Sequence, residues 1–163
     1  MSRPRRRRPS ITKWTSSRVG FPKPIPGQVI GYSYLWHSEY QRGQEEGVKN
    51  RPCVVVLVTA EAVGDPVVTV LPVTHTPPSS AVLAVEIPYA TKQRLGLDIE
   101  RSWVALWEAN RFTWPGPDLW MAERDDPDSV IYGELPGRLL LKIRDRSIAG
   151  IEAGRAALVP RTQ

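Results

Sequence analysis

Arg51-Pro52-Cys53-Val54-Val55-Val56-Leu57-Val58 is the stretch on which the fold turns. Apolar side chains fill both alternating positions, so a strand here is buried on both faces, and the branched valines favour strand over helix. Gly64-Asp65-Pro66 then marks a turn, and Val67-Val68-Thr69-Val70-Leu71 returns as a neighbouring strand. Pro72 has no N–H to donate and is expected at that strand's end or on an edge. Upstream, residues 27–36 read as another aromatic and β-branched strand opened by a Pro-Gly turn, and the polar, aperiodic residues 37–50 as a loop. Downstream, Ala81–Ile87 and Trp103–Leu106 read as further strands, whereas residues 112–133, rich in Pro, Asp and Trp, carry no readable period. Pro136 suits a first helical position; beyond it Leu140, Ile143, Ser147 and Ile151 form one stripe, with Lys142, Asp145, Arg146 and Glu152 opposite. Short strands followed by one amphipathic helix predict a mainly β (α+β) fold, a small bent barrel of short antiparallel strands with a C-terminal helix.

Composition agrees. At 163 residues the chain has room for one domain with a real core. Sixteen prolines and twelve glycines favour short elements over long helices. The single cysteine, Cys53, excludes an internal disulfide and a Cys-based zinc cluster. No apolar run approaches bilayer length, so a soluble, cytoplasmic protein with no membrane partner is expected.

The net charge of +5 is unevenly placed. Residues 1–26 hold eight bases and no acid, which leaves fourteen bases against all seventeen acids in residues 27–163, a net of −3. We therefore divide the chain into a basic Pro/Arg-rich tail, 1–26, read as extended or disordered, and a folded body, 27–163. An arginine block of this kind holds phosphates without sequence preference through counterion release, or merely keeps the chain in solution.

Motifs for nucleotide-binding loops, zinc hydrolases and serine hydrolases are absent, and two histidines with no cysteine pair do not complete a metal shell. The sequence thus predicts neither cofactor nor metal. What remains is the junction Glu45-Glu46-Gly47-Val48-Lys49-Asn50-Arg51-Pro52, where an arginine stands at the head of a rigid buried strand, and Leu71-Pro72-Val73-Thr74-His75-Thr76, where a neighbouring strand ends in hydroxyls and an imidazole. If these ends lie side by side, Arg51, Thr74 and His75 converge on a patch that suits a phosphodiester and the charge developing on it. The bland alternative is an exposed arginine ion-paired to Glu45 or Glu46. Trp103 and Trp107, four apart and so on one face of a strand, read as core; Trp114 and Trp120, in the Pro-rich segment, read as packing or as stacking platforms for bases.

The order Gly27-x-Val29, Gly47-x-Lys49-x-Arg51-Pro52-x-Val54-Val55-Val56, Val70-Leu71-Pro72-Val73-Thr74 resembles the MazF/PemK-like toxin family over roughly residues 27–111, with the 136–151 helix similar in kind to the family's last helix. The resemblance implies an SH3-like barrel, a homodimer, and the toxin of a toxin–antitoxin pair. Such a toxin is a metal-independent endoribonuclease that cuts single-stranded RNA at short sequences, by 2′-hydroxyl attack, until a small antitoxin protein blocks the site. It assigns Arg51 to the phosphorane and Thr74 to a phosphate oxygen. The family's acid/base positions fall near Ala105 and Trp107, which can do neither job, so His75, Glu46, Lys49, Glu108 and Asn110 are the remaining acid/base or substrate-binding candidates. The alternative is a catalytically inactive barrel of this kind that binds nucleic acid or protein.

Overall fold

A computed structural model describes residues 20–161 apart from 46, 48 and 62. The fold is mainly β, with eight strands in one sheet and three helices among the described residues. Strand β1 (Gln28–Tyr32) lies antiparallel between β2 (Arg51–Thr59) and β7 (Ile131–Glu134). On the far side of β2 runs β3 (Val67–Thr74), whose outer edge is shared by two strands. Val67–Val70 pair with β6 (Glu108–Thr113), and Val73–Thr74 with β5 (Trp103–Ala105), which in turn pairs with β4 (Ala84–Glu86). Pro72 falls between the two partners, so it sits inside the strand, opposite Cys53, rather than at its end. A donor is dispensable where the neighbouring strand changes. β8 (Ala157–Pro160) runs parallel beside β6; every other pair is antiparallel.

The bent sheet is not closed into a barrel, because β4 and β7 do not pair. Helix α2 (Tyr89–Leu95) packs there instead: Arg94 Nη2 donates to the Glu134 carbonyl at 2.9 Å, and a Cβ on Gly133 would meet Leu95 Cδ2 at 2.8 Å. That edge of β7 is occupied by a helix.

The valine run behaves as its composition requires. Val54 joins a core with Val29, Leu71, Val73, Val104 and Ile143, whereas Cys53 and Val55 join a second core with Ile30, Tyr32, Val70, Phe112 and Trp114. The double burial stops at a bulge between Val55 and Leu57, after which Leu57 is 49% exposed. One extra residue inverts the alternation.

Beyond β6, β7 and β8, which the sequence pattern does not announce as strands, four elements depart from expectation. The first strand ends at Tyr32 rather than residue 36, and His37–Gln41 form a short helix, α1, in place of loop. Glu39 Oε1 accepts from the Trp36 amide at 3.0 Å and so satisfies a donor ahead of that helix. Ala81–Leu83 wind into a 3₁₀ turn before β4. In α3 (Gly137–Glu152) the buried stripe runs through Ile143, half-buried Ser147 and Gly150, while Ile151 is exposed. At about 100° per residue Gly150 lies roughly 20° from Ile143 but Ile151 about 80° away.

Residues 20–26, assigned to the tail, lie along the body: Phe21 packs against the second core, and the Gln28 side chain holds the Ile25 amide and the Lys23 carbonyl. The arginine block, within residues 1–19, lies outside the described residues. No described helix is long and apolar enough to cross a membrane.

Candidate nucleic-acid site

Gly47 builds the approach to the site. A Cβ there would stand 2.7 Å from the Ser33 carbonyl oxygen and closer still to that of Tyr34, so only glycine lets this loop lie against the end of β1. Four residues later the chain enters β2, where Arg51 pairs across from Tyr32. Its Nη1 donates to the Val73 carbonyl at 3.3 Å, and its guanidinium carbon sits 5.1 Å from the centre of the Trp36 ring. Among the described residues no carboxylate pairs with Arg51, and Glu45 is exposed. Glu46 lies outside the described residues.

The two strand ends do lie side by side. Thr74, the last residue of β3, is buried opposite Trp103, and its Oγ1 accepts from the Thr76 amide at 3.1 Å, fixing the turn that carries His75. Arg51, His75 and Lys49 line one cavity of about 310 Å³, together with Asn50, Lys92 and Asp98. Thr74 supports this cavity without lining it.

Sequence reading missed the wall opposite Arg51. Lys92, almost fully buried in α2, donates to Asp98 Oδ1 at 2.5 Å, to Ser102 Oγ at 2.6 Å and to the Glu100 carbonyl. Asp98 Oδ2 in turn lies 2.8 Å from His75 Nε2, and Glu100 Oε1 lies 3.8 Å from Nδ1. Two carboxylates therefore flank the imidazole, and a buried ammonium anchors one of them. The hydrogen bond from Lys92, then that from His75, hold the Asp98 carboxyl below the usual carboxylate range. Asp98 therefore stays ionised through neutral and mildly acid pH; its contribution to stability is complete above about pH 4 and is lost only as pH falls through the depressed value. His75, Asp98 and Glu100 could together ligate a cation, but Lys92 already supplies a positive charge to Asp98. The signal for α2 was present in Gly96, which caps the helix at φ 71° behind Lys92 and Arg94 in its last turn.

Glu108 and Asn110 lie elsewhere. Both are buried on β6 and grip the segment that leaves β1: Glu108 Oε1 accepts from the His37 amide at 2.7 Å and the Tyr34 hydroxyl at 3.1 Å. Asn110 accepts from the Leu35 amide at 2.9 Å and donates to the Leu35 carbonyl at 2.8 Å. Neither lines the Arg51 cavity, yet between them they place Trp36, which stacks against Trp107 at 6.4 Å and underlies Arg51. Ala105 is buried in β5. A larger hollow of about 450 Å³ joins Leu57, Thr69 and Arg111 on the far part of the sheet and holds none of the residues singled out in the sequence.

Burial raises the Glu108 carboxyl above its ordinary value, against the opposing hydrogen bonds from His37 and Tyr34. A raised acid binds its proton longer in the folded than in the unfolded chain, so its effect on stability becomes unfavourable as pH rises above about 4.3. Glu108→Gln keeps the accepting oxygen and removes that penalty. Its melting temperature at pH 7 is expected to equal or exceed the wild type's, with a flatter dependence between pH 4 and 7; a fall would show that the ionised carboxylate stabilises the fold.

No family model matches the chain, and no curated protein or solved structure does.

Proposed function

We propose that this protein is a MazF/PemK-like toxin, a metal-independent endoribonuclease that cuts single-stranded RNA by attack of a ribose 2′-hydroxyl on the adjacent phosphorus. The observation that carries the reading is the arginine at the head of β2. It stands beside the end of β3, on a cavity shared with Lys49 and His75, with no carboxylate partner among the described residues. Such a guanidinium suits the non-bridging oxygens of a phosphodiester, and is pre-positioned to stabilise the phosphorane as its charge develops. The hydrogen bond from the Thr76 amide to Thr74 Oγ1 holds the turn that presents the imidazole. Asp98 orients that ring through Nε2, and Nδ1 is then the nitrogen that takes or returns a proton. With a 2′-hydroxyl as nucleophile, DNA is spared. The cationic cavity also suits an acidic segment of a small antitoxin, and we extend the reading to a cytoplasmic homodimer.

Loss of one general acid–base group costs about 10²–10⁴ in rate. His75→Ala is therefore expected to slow cleavage about a hundredfold in initial-rate measurements on a labelled oligoribonucleotide. The fragments should carry 2′,3′-cyclic phosphate and 5′-hydroxyl ends, and 2′-O-methylation at the cut nucleotide should block cutting. Fragments with 3′-hydroxyl and 5′-phosphate ends would rule out the 2′-hydroxyl route. One observation favours the rival reading, a barrel-derived module that binds RNA without cutting it: Ala105 is buried and Trp107 is occupied by Trp36. That reading requires His75→Ala to leave RNA unchanged because the wild type does not cut it.

A further inference from the structure

Asn50 lines this cavity, and close to it stands Trp120, outside the lining and, among the described residues, the one tryptophan left close to half exposed, at 47%. The indole is fixed from behind. Its Nε1 donates to Ser33 Oγ, its backbone amide donates to the Gly31 carbonyl at 2.9 Å, and Leu119 beside it bridges to Tyr32. Among the described residues it takes part in no ring–ring or cation–ring contact, unlike Trp36, Trp103, Trp107 and Trp114. Gly31 brings it close to the phosphate-binding side: a Cβ there would lie 3.1 Å from Asn50 Oδ1, 3.3 Å from Trp120 Cβ and 2.9 Å from the Trp120 carbonyl oxygen. The Asn50 amide and the root of the indole therefore meet over a glycine. That glycine is paired with Pro52, one residue from Arg51, on strands about 5 Å apart.

We propose that Trp120 and Asn50 form a nucleobase subsite of the RNA site. A base next to the phosphate on Arg51 stacks on the indole, and the Asn50 amide, which has no hydrogen-bond partner among the described residues, pairs with its edge. This subsite rests on the ribonuclease reading of the Arg51 cavity. An aromatic face beside a cationic groove is how single strands are held, the cation taking the backbone and the ring taking the base. A donor–acceptor amide at the ring's side adds a preference among bases, so Asn50 would contribute to the choice of cleavage sequence.

The test uses the full chain and a mixed-sequence RNA that is 2′-O-methylated throughout, which cannot be cut, alongside the same backbone carrying no bases. Fluorescence anisotropy gives the affinity for each. Trp120→Ala is expected to weaken binding of the base-bearing strand by about 5- to 150-fold, the range for loss of one stacked base, and to leave the baseless strand unaffected. Trp120→Phe should keep most of the affinity, which guards against a loss caused by misfolding. Equal affinities for wild type and Trp120→Ala, in a protein that still cuts unmodified RNA, would overturn the subsite alone. Equal losses on both strands would also overturn it, making Trp120 part of the architecture. A wild type that neither binds the base-bearing strand nor cuts RNA would overturn the ribonuclease reading and the subsite together.

Discussion

Arg51→Ala is expected to lower RNA cleavage about a thousandfold while the protein remains folded. Removing one preorganised donor from a site of developing negative charge costs about 10²–10³ in rate, and a guanidinium supplies a full charge as well as two donors. The structural cost is small by comparison. Arg51 loses one 3.3 Å hydrogen bond to Val73 and one contact with the Trp36 ring, while β2 is held by Cys53, Val54 and Val55 in both cores. About 1–2 kcal/mol covers those losses, too little to unfold a domain of this size. Arg51→Lys should recover only part of the rate, because an ammonium cannot reproduce the planar fork. Initial rates and a thermal melt on the same preparations check both halves. A melting temperature that collapses in Arg51→Ala would place the arginine in the fold rather than in the chemistry.

The largest loss of stability is expected at Asn110→Ala. Asn110 is fully buried, and its side chain satisfies both the amide and the carbonyl of Leu35, itself 1% exposed. It also accepts from Arg161 Nη1 at 3.2 Å, in a network where Arg161 reaches the Ser33 carbonyl at 2.8 Å and Asp118 Oδ2 at 3.0 Å. Truncation leaves two backbone groups buried without their partner and deprives a buried guanidinium of one acceptor. Unsatisfied groups of this kind cost about 1–3 kcal/mol each, so a total of about 2–4 kcal/mol is expected after relaxation. For a chain of this length that lowers the melting temperature by about 5–15 °C. Thermal denaturation followed by circular dichroism reads it directly. An unchanged melting temperature would remove the structural role and return Asn110 to the candidates for RNA contact.

These two residues show what was legible in the sequence. Arg51 could be read because its setting is local: a charged residue ahead of a run that only a doubly buried strand explains. Asn110 could not, since a polar residue alternating with Phe112 on a strand gives no sign of whether its face meets solvent or a segment 75 residues away. The same holds for the Lys92–Asp98–His75 chain, which joins a helix, a loop and a strand end that only the tertiary fold assembles. The barrel expectation erred for a related reason. Five of the eight strands were readable in order, but β6, β7 and β8 were not, and closure depends on what lies against the last edge, where the short α2 is signalled only by Gly96 and the basic residues of its last turn. Trp120 and Trp114, alike in composition and neighbourhood, diverge completely: Trp114 is 5% exposed beside Phe112, whereas Trp120 is turned outward by the hydrogen bond to Ser33.

The central claim, that the Arg51 cavity cleaves RNA, is tested most directly by incubating the purified protein, in chelator, with a long single-stranded RNA and with DNA of the same sequence. The account predicts cuts at a recurring short sequence in the RNA, none in the DNA, and loss of the cuts in a folded Arg51→Ala protein. Intact RNA of varied sequence after incubation with folded wild type would contradict it, as would cuts that persist in Arg51→Ala.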